Sequence, residues 1–518
     1  MSNFFRLRTK LVQFWPTWIM AIFYLTQIVR WPPHYEDEPW IWTPAINSTL
    51  GLGTRFPSFG YSVDTNPVAN WLFSWLLEVS PFDFWKTARG LSLASLVLIC
   101  LITVSLNKRF FKTQTSIIFQ TIFMTLPLAD GLLYARLEVY SLAIASLGIL
   151  MCTANSPKVK FASFSIFALA VSIHPLALVL VPFVLLNPSV QDHNSNFLRN
   201  FQIRKMGAYL SIFIGSLVFL NLSNLLQWSE YAKTLKRTGS SSTIFSDFSL
   251  IRTLVSPTGI IRNSVSQLKI TNQNFELIVA ICFLGLLAIG VWYAGHKNKQ
   301  WLVCLSIALL LHVILVSRDE VYYLAIFAPL IATLLSIRFD SKRLLKRVSV
   351  LALLICAAKM TVVTQFPSLL SKVTPTQFAL DAQSPYDYTK HLLEEIPVNS
   401  VIVGTPVLRA VFENRADVKV YGMTALTVAN VDSGQQIHNC KQVLNQLEKI
   451  FARHPNDNKF LILYGNWQSR AFIQYSDTFN EEDFLCVIKD VTKTRTLTGS
   501  SSNGISWNWV IRLYGNWK

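Results

Sequence analysis

The sequence is poor in charge. Only 14% of its 518 residues are charged, whereas 52% are hydrophobic and the mean hydropathy is +0.38. Soluble globular chains carry roughly 25% charged residues, so this composition argues against a soluble enzyme, and its apolar content excludes a disordered chain. Seven cysteines in 518 residues are too few for a disulfide scaffold, and no CxxC motif or histidine-spaced pair suggests a zinc site. The class that remains is a membrane protein with several spans.

Nucleotide-binding and hydrolase motifs are also lacking. No P-loop, HExxH, GxSxG or GxGxxG sequence stands in a convincing context. Residues 1–365 hold 31 Lys and Arg against 15 acids, whereas residues 366–518 hold 15 against 14. The excess positive charge falls in short gaps between apolar runs, which is typical of topology signals. A nucleic-acid partner is therefore not expected.

Eleven apolar runs are candidate membrane spans. A helix needs about 20 mostly apolar residues to cross the hydrocarbon core. Two of the runs are short and meet at Ile173-His174-Pro175, which predicts a tight pair with a shallow turn. The predicted spans are 12–30, 89–106, 116–133, 138–154, 160–173, 175–187, 207–223, 276–294, 301–316, 321–337 and 348–365.

The short loops predict the orientation. With the N-terminus in the cytoplasm, the inner segments carry 18 Lys and Arg residues against two acids, Asp192 and Asp340. The short outer turns contain Arg136 and Arg318 as their only basic residues. Positive residues are retained on the cytoplasmic side of a membrane. The asymmetry therefore predicts that the tail lies on the outer side, and that the membrane is the cell membrane (plasma or inner membrane).

Three segments are predicted to lie outside. Residues 1–365 form the membrane domain, with a first outer loop at 31–88 and a second at 224–275, and residues 366–518 form a small α/β domain. Within the first loop, a helix over Asn70–Glu78 could lie in the membrane interface through Trp71 and Trp75. The tail is predicted to contain a helix at Cys440–Arg453 and strands at Val398–Gly404, Lys459–Tyr464, Phe484–Val491 and Ser506–Leu513. Whether Cys440 and Cys486 form a disulfide is left open by the sequence.

An acidic cluster directly follows the first span. Glu36, Asp37 and Glu38 are consecutive and are flanked by tryptophans. A carboxylate there could act as a general base for a hydroxyl group, or the three together could hold a divalent cation. The alternative is the hydrated start of a loop. No redox or organic cofactor is expected.

Cations and acids recur at two other outer turns. Arg136 and Glu138 join the third and fourth spans, and Arg136 could bind phosphate or could pair with Glu138 or Asp130. The turn that contains Arg318, Glu320 and Tyr323 offers a cation, an acid and a phenol, or is an ordinary polar turn.

His174 stands at the break between the fifth and sixth spans, where it could bind a ligand or cap a helix. The predicted topology puts all these residues at one depth, on the outer side. Carboxylates, arginines and a histidine beside lipid indicate a site for a phosphorylated lipid and a polar acceptor.

At these positions the sequence resembles the GT-C fold glycosyltransferases that use polyprenyl-phosphate sugars, and among them the protein-O-mannosyltransferase/aminoarabinose-transferase-like family. The resemblance covers about residues 10–340. Asp37-Glu38 matches the family's Asp-Glu pair after the first span, and His174-Pro175 matches a later element. Further matches are Gly53-Thr54-Arg55-Phe56, Asn66-Pro67, Arg136-Leu137-Glu138 and Tyr322-Tyr323-Leu324 through Pro329. The chain departs from the family at Leu137, where the family has proline, and at Asn66, where it has a basic residue.

The resemblance implies transfer of a sugar from a polyprenyl or dolichyl monophosphate to a hydroxyl group of a glycan, lipid or protein on the outer face, with inversion. Asp37 would be the general base and Glu38 its helper. Arg136, His174 and Arg318 would bind the donor phosphate, and Glu138, Glu320 and Tyr323 would orient the acceptor. Two other classes stay open: a lipid or sugar transporter, which should show charges at the midplane and repeated halves, and a membrane assembly protein.

Overall fold

The chain is described from a computed structural model. The structure describes residues 14–27, 37–58, 64, 66–111, 116–125, 132, 135–185, 203–230, 299–315, 325–338, 396–404, 407–422, 425, 440–464, 493–500 and 506–513. The predicted spans 276–294 and 348–365 lie outside these residues, as does most of the second outer loop.

The chain divides into two compact units. The first comprises residues 1–31, 88–222 and 242–376, and the second comprises residues 32–87, 223–241 and 377–518. The predicted boundary at residue 365 lies near the one at 376, but residues 32–87 and 223–241 belong with the tail and not with the membrane helices. The first outer loop belongs with the tail, because its aromatic and polar groups contact the tail strands.

The first unit is built from helices. Each of the nine predicted spans that the described residues reach contains helix, although the bounds differ from the predicted ones. The helices are α1 (Trp15–Gln27), α4 (Phe84–Phe111, which begins in the second unit), α5 (Ser116–Thr125), α6 (Leu137–Cys152), α7 (Pro157–Ile173), a 3-10 turn (Pro175–Leu180) leading into α8 (Val181–Leu185), α9 (Ile203–Leu220), α11 (Lys299–Leu315), and a second 3-10 turn (Ala325–Phe327) before α12 (Ala328–Arg338).

Length and composition single out α4. Within the described residues, Phe84–Lys108 is the one helix that is long and apolar enough to cross a membrane, with 25 residues. Shorter apolar helices cover Leu137–Cys152, Pro175–Leu185, Gly207–Leu220 and Val303–His312.

Side-chain hydrogen bonds join helices across the apolar interior. Thr17 of α1 donates to Gln120 of α5 over 2.7 Å, and Asn107 of α4 donates to Thr333 of α12 over 3.1 Å. A buried polar group without a partner is costly, so these pairs help to fix which helices are neighbours.

The second unit contains helices of the outer loop region together with the tail. Its loop part holds α2 (Asp37–Thr49), α3 (Pro67–Val79) and the first turn of α4, and α10 (Leu222–Leu226) extends into it from the first unit. Its tail part holds β1 (Ser400–Gly404), α13 (Val407–Val411), β2 (Val418–Gly422), α14 (Cys440–Ala452), β3 (Asn458–Tyr464), β4 (Lys493–Ser500) and β5 (Ser506–Leu513).

The tail strands form one five-stranded sheet in the order β2-β1-β3-β5-β4. The first three strands are parallel, with Ser400 level with both Val418 and Asn458, and β5 runs antiparallel to β3 and β4. Three of the predicted strands and the predicted helix are present near their predicted positions. The predicted strand at Phe484–Val491 and residue Cys486 lie outside the described residues.

Helix α3 covers the predicted interfacial helix. It has an inverted polarity, because it buries polar side chains and exposes aromatic ones. Asn70 and Ser74 are buried, whereas Trp71 and Trp75 are 70% and 52% exposed. Asn70 donates to Asp64 over 2.6 Å, and Ser74 donates to the Asn70 carbonyl over 2.7 Å. The polar side of this helix is thus satisfied inside the protein, while its aromatic side faces outward. Its position at the membrane interface stays a prediction.

Candidate functional site

The start of helix α6 holds the densest cluster of charge in the described part of the first unit. Arg136 precedes the helix in an extended conformation, and Glu138 lies in its first turn. A carboxylate in the first turn of a helix interacts favourably with the helix dipole. The extended residue and the helical one therefore present their side chains to each other at one helix end.

Arg136 and Glu138 form a buried ion pair. The Nε and Nη2 atoms of Arg136 donate to the two carboxylate oxygens of Glu138 over 3.3 and 3.1 Å, and each residue is only 6% exposed. Two parallel hydrogen bonds of this kind fix the plane of the guanidinium group. Of the two partners predicted for Arg136, Glu138 is the one observed, and Asp130 lies outside the described residues.

His174 completes this cluster. It ends α7 and begins the following 3-10 turn, where its Nδ1 atom accepts from the Leu176 backbone N–H over 3.2 Å. In the neutral ring the proton then sits on Nε2, which lies 3.6 Å from Glu138. His174 thus has the capping role that the sequence analysis considered, and it also lies beside Glu138. Its role in binding a ligand stays a prediction.

Ser141 holds the backbone at this corner. Its hydroxyl donates to the carbonyl of Ala170 over 2.8 Å and to that of His174 over 3.2 Å. Because Ser141 lies one turn after Glu138 in α6, the helix that carries the carboxylate also fixes the histidine backbone. The triad of Arg136, Glu138 and His174 is therefore preorganised.

Two residues near this helix start were missed by the sequence analysis. The Tyr140 hydroxyl donates to the Ala88 carbonyl and lies within hydrogen-bond distance of the Ser92 hydroxyl, each over 3.1 Å, and so joins α6 to the N-terminal part of α4. Arg89, next to Ala88, is only 1% exposed. A lone arginine at the start of the predicted span 89–106 was the available signal, since a buried arginine at a span end needs anionic or hydrogen-bonding partners.

The predicted catalytic acids open helix α2. Asp37 is its first residue and Glu38 its second, but their side chains lie outside what the structure describes, as does Glu36. Arg318, Glu320 and Tyr323 also lie outside the described residues. The structure therefore brings together three of the predicted site residues, Arg136, Glu138 and His174, and leaves the positions of the others as predictions.

A bound metal ion would need several His, Cys, Asp or Glu side chains close together. No group of three or more His, Cys, Asp or Glu side chains comes together within the described ranges. The Glu36-Asp37-Glu38 segment is not covered by this observation, so the predicted cation site stays a prediction.

A buried acid of the outer loop, Asp64, was missed by the sequence analysis. Asp64 is 8% exposed, accepts from the Asn70 side chain over 2.6 Å and accepts from the Asn66 backbone over 3.1 Å. Burial raises the pKa of Asp64, and hydrogen bonds from Thr54, Asn70 and Asn66 work against this rise. Asp64 thus ties together two of the predicted motif segments, Gly53–Phe56 and Asn66-Pro67.

Comparison with known proteins gives matches in structure. No protein-family model matches the chain, and the search of curated proteins finds no match. The crystal structure of ArnT from Cupriavidus metallidurans bound to undecaprenyl phosphate matches with a TM-score of 0.56 and 10% identity, over 95% of this chain and 96% of that one. The apo structure of the same protein matches with a TM-score of 0.56 and 10% identity, over 98% of both chains.

These matches extend over nearly the whole chain, so they concern the outer loop and the tail as well as the helices. The prediction of a helical membrane protein with several spans is confirmed at that level, and the count of eleven spans stays a prediction. The predicted resemblance to the GT-C fold is likewise confirmed, and the chain has the fold of ArnT.

Proposed function

We propose that this protein is an integral-membrane glycosyltransferase that moves a sugar from a polyprenyl or dolichyl monophosphate to a hydroxyl group. The observation that carries the proposal is the fold match over 95% of the chain to ArnT in complex with undecaprenyl phosphate. A fold that holds a lipid phosphate in one protein offers this chain a place for the same class of donor.

The cluster at the start of α6 supports a role in binding the donor. A lipid monophosphate is an anion at headgroup level, and guanidinium groups bind phosphate oxygens through paired hydrogen bonds. Glu138 holds the guanidinium of Arg136 in one plane and takes two of its hydrogen bonds. We assign Arg136 and Arg318 to the donor phosphate as cations, His174 to the same phosphate as a hydrogen-bond donor, and Glu138, Glu320 and Tyr323 to orientation of the acceptor.

The reaction proposed is a direct displacement at the anomeric carbon. Asp37 takes the proton of the acceptor hydroxyl, with Glu38 beside it, and the hydroxyl oxygen forms the new bond to the sugar. The bond from the sugar to the phosphate oxygen breaks, and its electron pair leaves with the phosphate. The phosphate gains negative charge, which Arg136 stabilises, and the anomeric configuration inverts.

The location proposed follows the charge pattern. The protein spans the cell or plasma (inner) membrane several times, with its N-terminus in the cytoplasm and its tail domain outside. The acceptor is a glycan, a lipid or a protein on that outer side. The proposal also includes a divalent cation bound at Glu36, Asp37 and Glu38, because carboxylates supply the oxygen ligands that such cations prefer.

A membrane assay with purified protein and defined lipid-phosphate sugars tests the proposal. Asp37→Asn should lower turnover by about 10²–10⁴-fold while donor binding persists, because the amide keeps the shape but cannot take the proton. Asp83→Asn is the matched control, since Asp83 lies in the same outer loop and asparagine also begins helices well.

Two results would contradict the proposal at different levels. Normal turnover by the Asp37→Asn protein would remove the general base. If every lipid-phosphate sugar failed as a donor and one of them were transported, the protein would be a transporter and not a glycosyltransferase.

A further inference from the structure

We infer that the tail domain positions the acidic segment of the outer loop, and that Tyr421 and Glu413 are positioning residues for helix α2. The catalytic meaning of this inference rests on the proposed function, because α2 begins with Asp37 and Glu38. The structural part does not: it states that tail contacts determine where this helix lies within the second unit. The contacts come from three places.

The first contact joins the end of α2 to strand β2 through Ser58. The Asn47 side chain, on α2, donates to the Ser58 hydroxyl over 2.9 Å. The Ser58 carbonyl accepts from the Gly422 backbone N–H over 2.7 Å. Asn47 is fully buried and Ser58 is 2% exposed. Ser58 is thus held between the loop helix and the last residue of a tail strand.

The second contact is aromatic. The Phe56 ring lies 5.2 Å from the Tyr421 ring, measured between centroids. Tyr421 is 2% exposed, and its hydroxyl lies 2.9 Å from the Nε2 atom of His454. The tail therefore fixes the orientation of the tyrosine ring on which the loop packs. Nearby, the tail helix α13 packs directly against α2.

The third contact runs through the aromatic core of the loop. Trp42 of α2 is fully buried, stacked on Phe73 at 4.0 Å and edge-on to Phe84 at 5.7 Å between ring centroids. Phe84 begins α4, and its backbone N–H donates to the Glu413 carboxylate over 2.7 Å. Glu413 thereby fixes the residue against which Trp42 packs.

Helix α2 has reason to depend on these contacts. It has only 13 residues and contains Pro44 in its interior. Proline removes one helical hydrogen bond and crowds the preceding turn, and isolated helices of this length are marginal in water. The turn that carries Asp37 lies just N-terminal to Pro44, so it receives less support from its own backbone than an ordinary helix end.

The inference differs from a role of the tail in acceptor selection, because the two make different kinetic predictions. A recognition domain changes the KM for the acceptor or the choice among acceptors. A positioning domain lowers kcat for every acceptor, since displacement of a catalytic group by about 1 Å costs up to about 100-fold in rate. The donor site would be unaffected.

The experiment combines kinetics with hydrogen exchange of the full-length protein in lipid nanodiscs. Glu413→Ala and Tyr421→Leu remove the two tail contacts. Glu413→Gln and Tyr421→Phe are their conservative partners, since glutamine still accepts from Phe84 and phenylalanine keeps the ring. Lys449→Ala, at an exposed position of α14, controls for a general effect of changing the tail.

We expect faster amide exchange over residues 37–49 in the first pair of variants, together with a fall in kcat of about 10–100-fold. The acceptor KM and the binding of the lipid phosphate alone should stay near those of the unchanged protein. Neither the conservative pair nor the control should show faster exchange over residues 37–49 or a lower kcat than the unchanged protein.

Unchanged exchange over residues 37–49 would overturn the inference, and so would a change confined to the acceptor KM. Loss of the proposed function gives a different pattern. If no lipid-phosphate sugar is used, or Asp37→Asn retains full turnover, the proposed chemistry fails, whereas the exchange measurement still decides whether the tail holds α2.

Discussion

Glu138 and Glu413 are both carboxylates at the start of a helix, and they reach that place by different routes. Glu138 lies in the first turn of its own helix, beside Arg136 and His174. Glu413 comes from the tail and accepts from the first residue of α4, which precedes it by 329 positions. The first arrangement is local in sequence and charge-balanced, whereas the second depends on the fold and has no ion pair among the described residues.

The difference appears in the protonation of Glu413. Burial, and to a lesser degree the neighbouring Asp83, raise the pKa of Glu413 to about 7, against the hydrogen bond from Phe84 and the charges of Lys86 and Arg409. Arg409 is itself buried, and burial lowers its pKa to about 9. The hydrogen bond from the helix N-terminus and the charges of Lys86 and Arg409 do not offset the burial of Glu413. A guanidinium group bonded directly to the carboxylate, as Arg136 is to Glu138, is what distinguishes the two sites.

The largest effect is expected from removing that cation. Arg136→Ala leaves Glu138 buried without its partner, so we expect a loss of about 3–5 kcal/mol in the free energy of unfolding, with weaker donor binding and lower turnover. Lysine at position 136 should rescue donor binding only in part, because it cannot form two parallel bonds.

The double variant Arg136→Ala with Glu138→Ala is the matched control for this change. It should regain part of the stability, because no unpaired buried charge remains. Chemical unfolding in detergent measures both proteins. Equal stability of the single and double variants would show that the pair is not the reason for the loss.

A smaller and pH-dependent effect is expected at Glu413. A carboxyl group whose pKa is raised in the folded state binds more protons there, so the stability it contributes is lost as pH rises from about 4.5 to about 7. Glu413→Gln resembles the protonated form. At pH 8 this variant should therefore be more stable than the unchanged protein, by at most about 3 kcal/mol, and at pH 4.5 the two should be alike.

Thermal unfolding at the two pH values, with Lys449→Ala as a second reference, measures this difference. A stability gap that is the same at both pH values would contradict the titration of Glu413.

The smallest effect is expected at His174. Asparagine can accept the Leu176 N–H as the ring does, but it is too short to reach Glu138, whereas alanine does neither. His174→Ala should cost about 1 kcal/mol of stability, and His174→Asn only a few tenths.

Donor binding then separates the two roles of this histidine. Weaker binding of the lipid phosphate by His174→Asn is expected if the ring contacts the donor phosphate. Unchanged binding would leave His174 as a cap alone.

Local patterns predicted most of the helices and the triad. The break at Ile173-His174-Pro175 was predicted because proline disfavours helix at the residue before it, and α7 ends at Ile173. Arg136 and Glu138 are two residues apart, so their pairing was foreseeable from the sequence alone. The start of α4 at Phe84 was missed, because its first five residues precede the apolar run from which the span was predicted.

The rest depends on contacts between distant segments. Strand β2 has only five residues and follows the charged turn at Arg415 and Asp417, so its alternation of Val418, Lys419 and Val420 was too short to predict a strand. The burial of Asp64 and Arg89 and the contact between Glu413 and Phe84 arise from tertiary packing. For the same reason the sequence could not show that the loop at 31–88 belongs with the tail.

The inverted polarity of α3 has a practical consequence for anyone who expresses the loop and tail as a secreted fragment. Trp71, Trp75 and Phe82 would meet water at 70%, 52% and 62% exposure. Asn70 and Ser74 are already committed to hydrogen bonds inside the protein. Such a fragment would self-associate through this aromatic stripe, and a mild detergent or a short-chain lipid in the buffer would be needed to keep it monomeric.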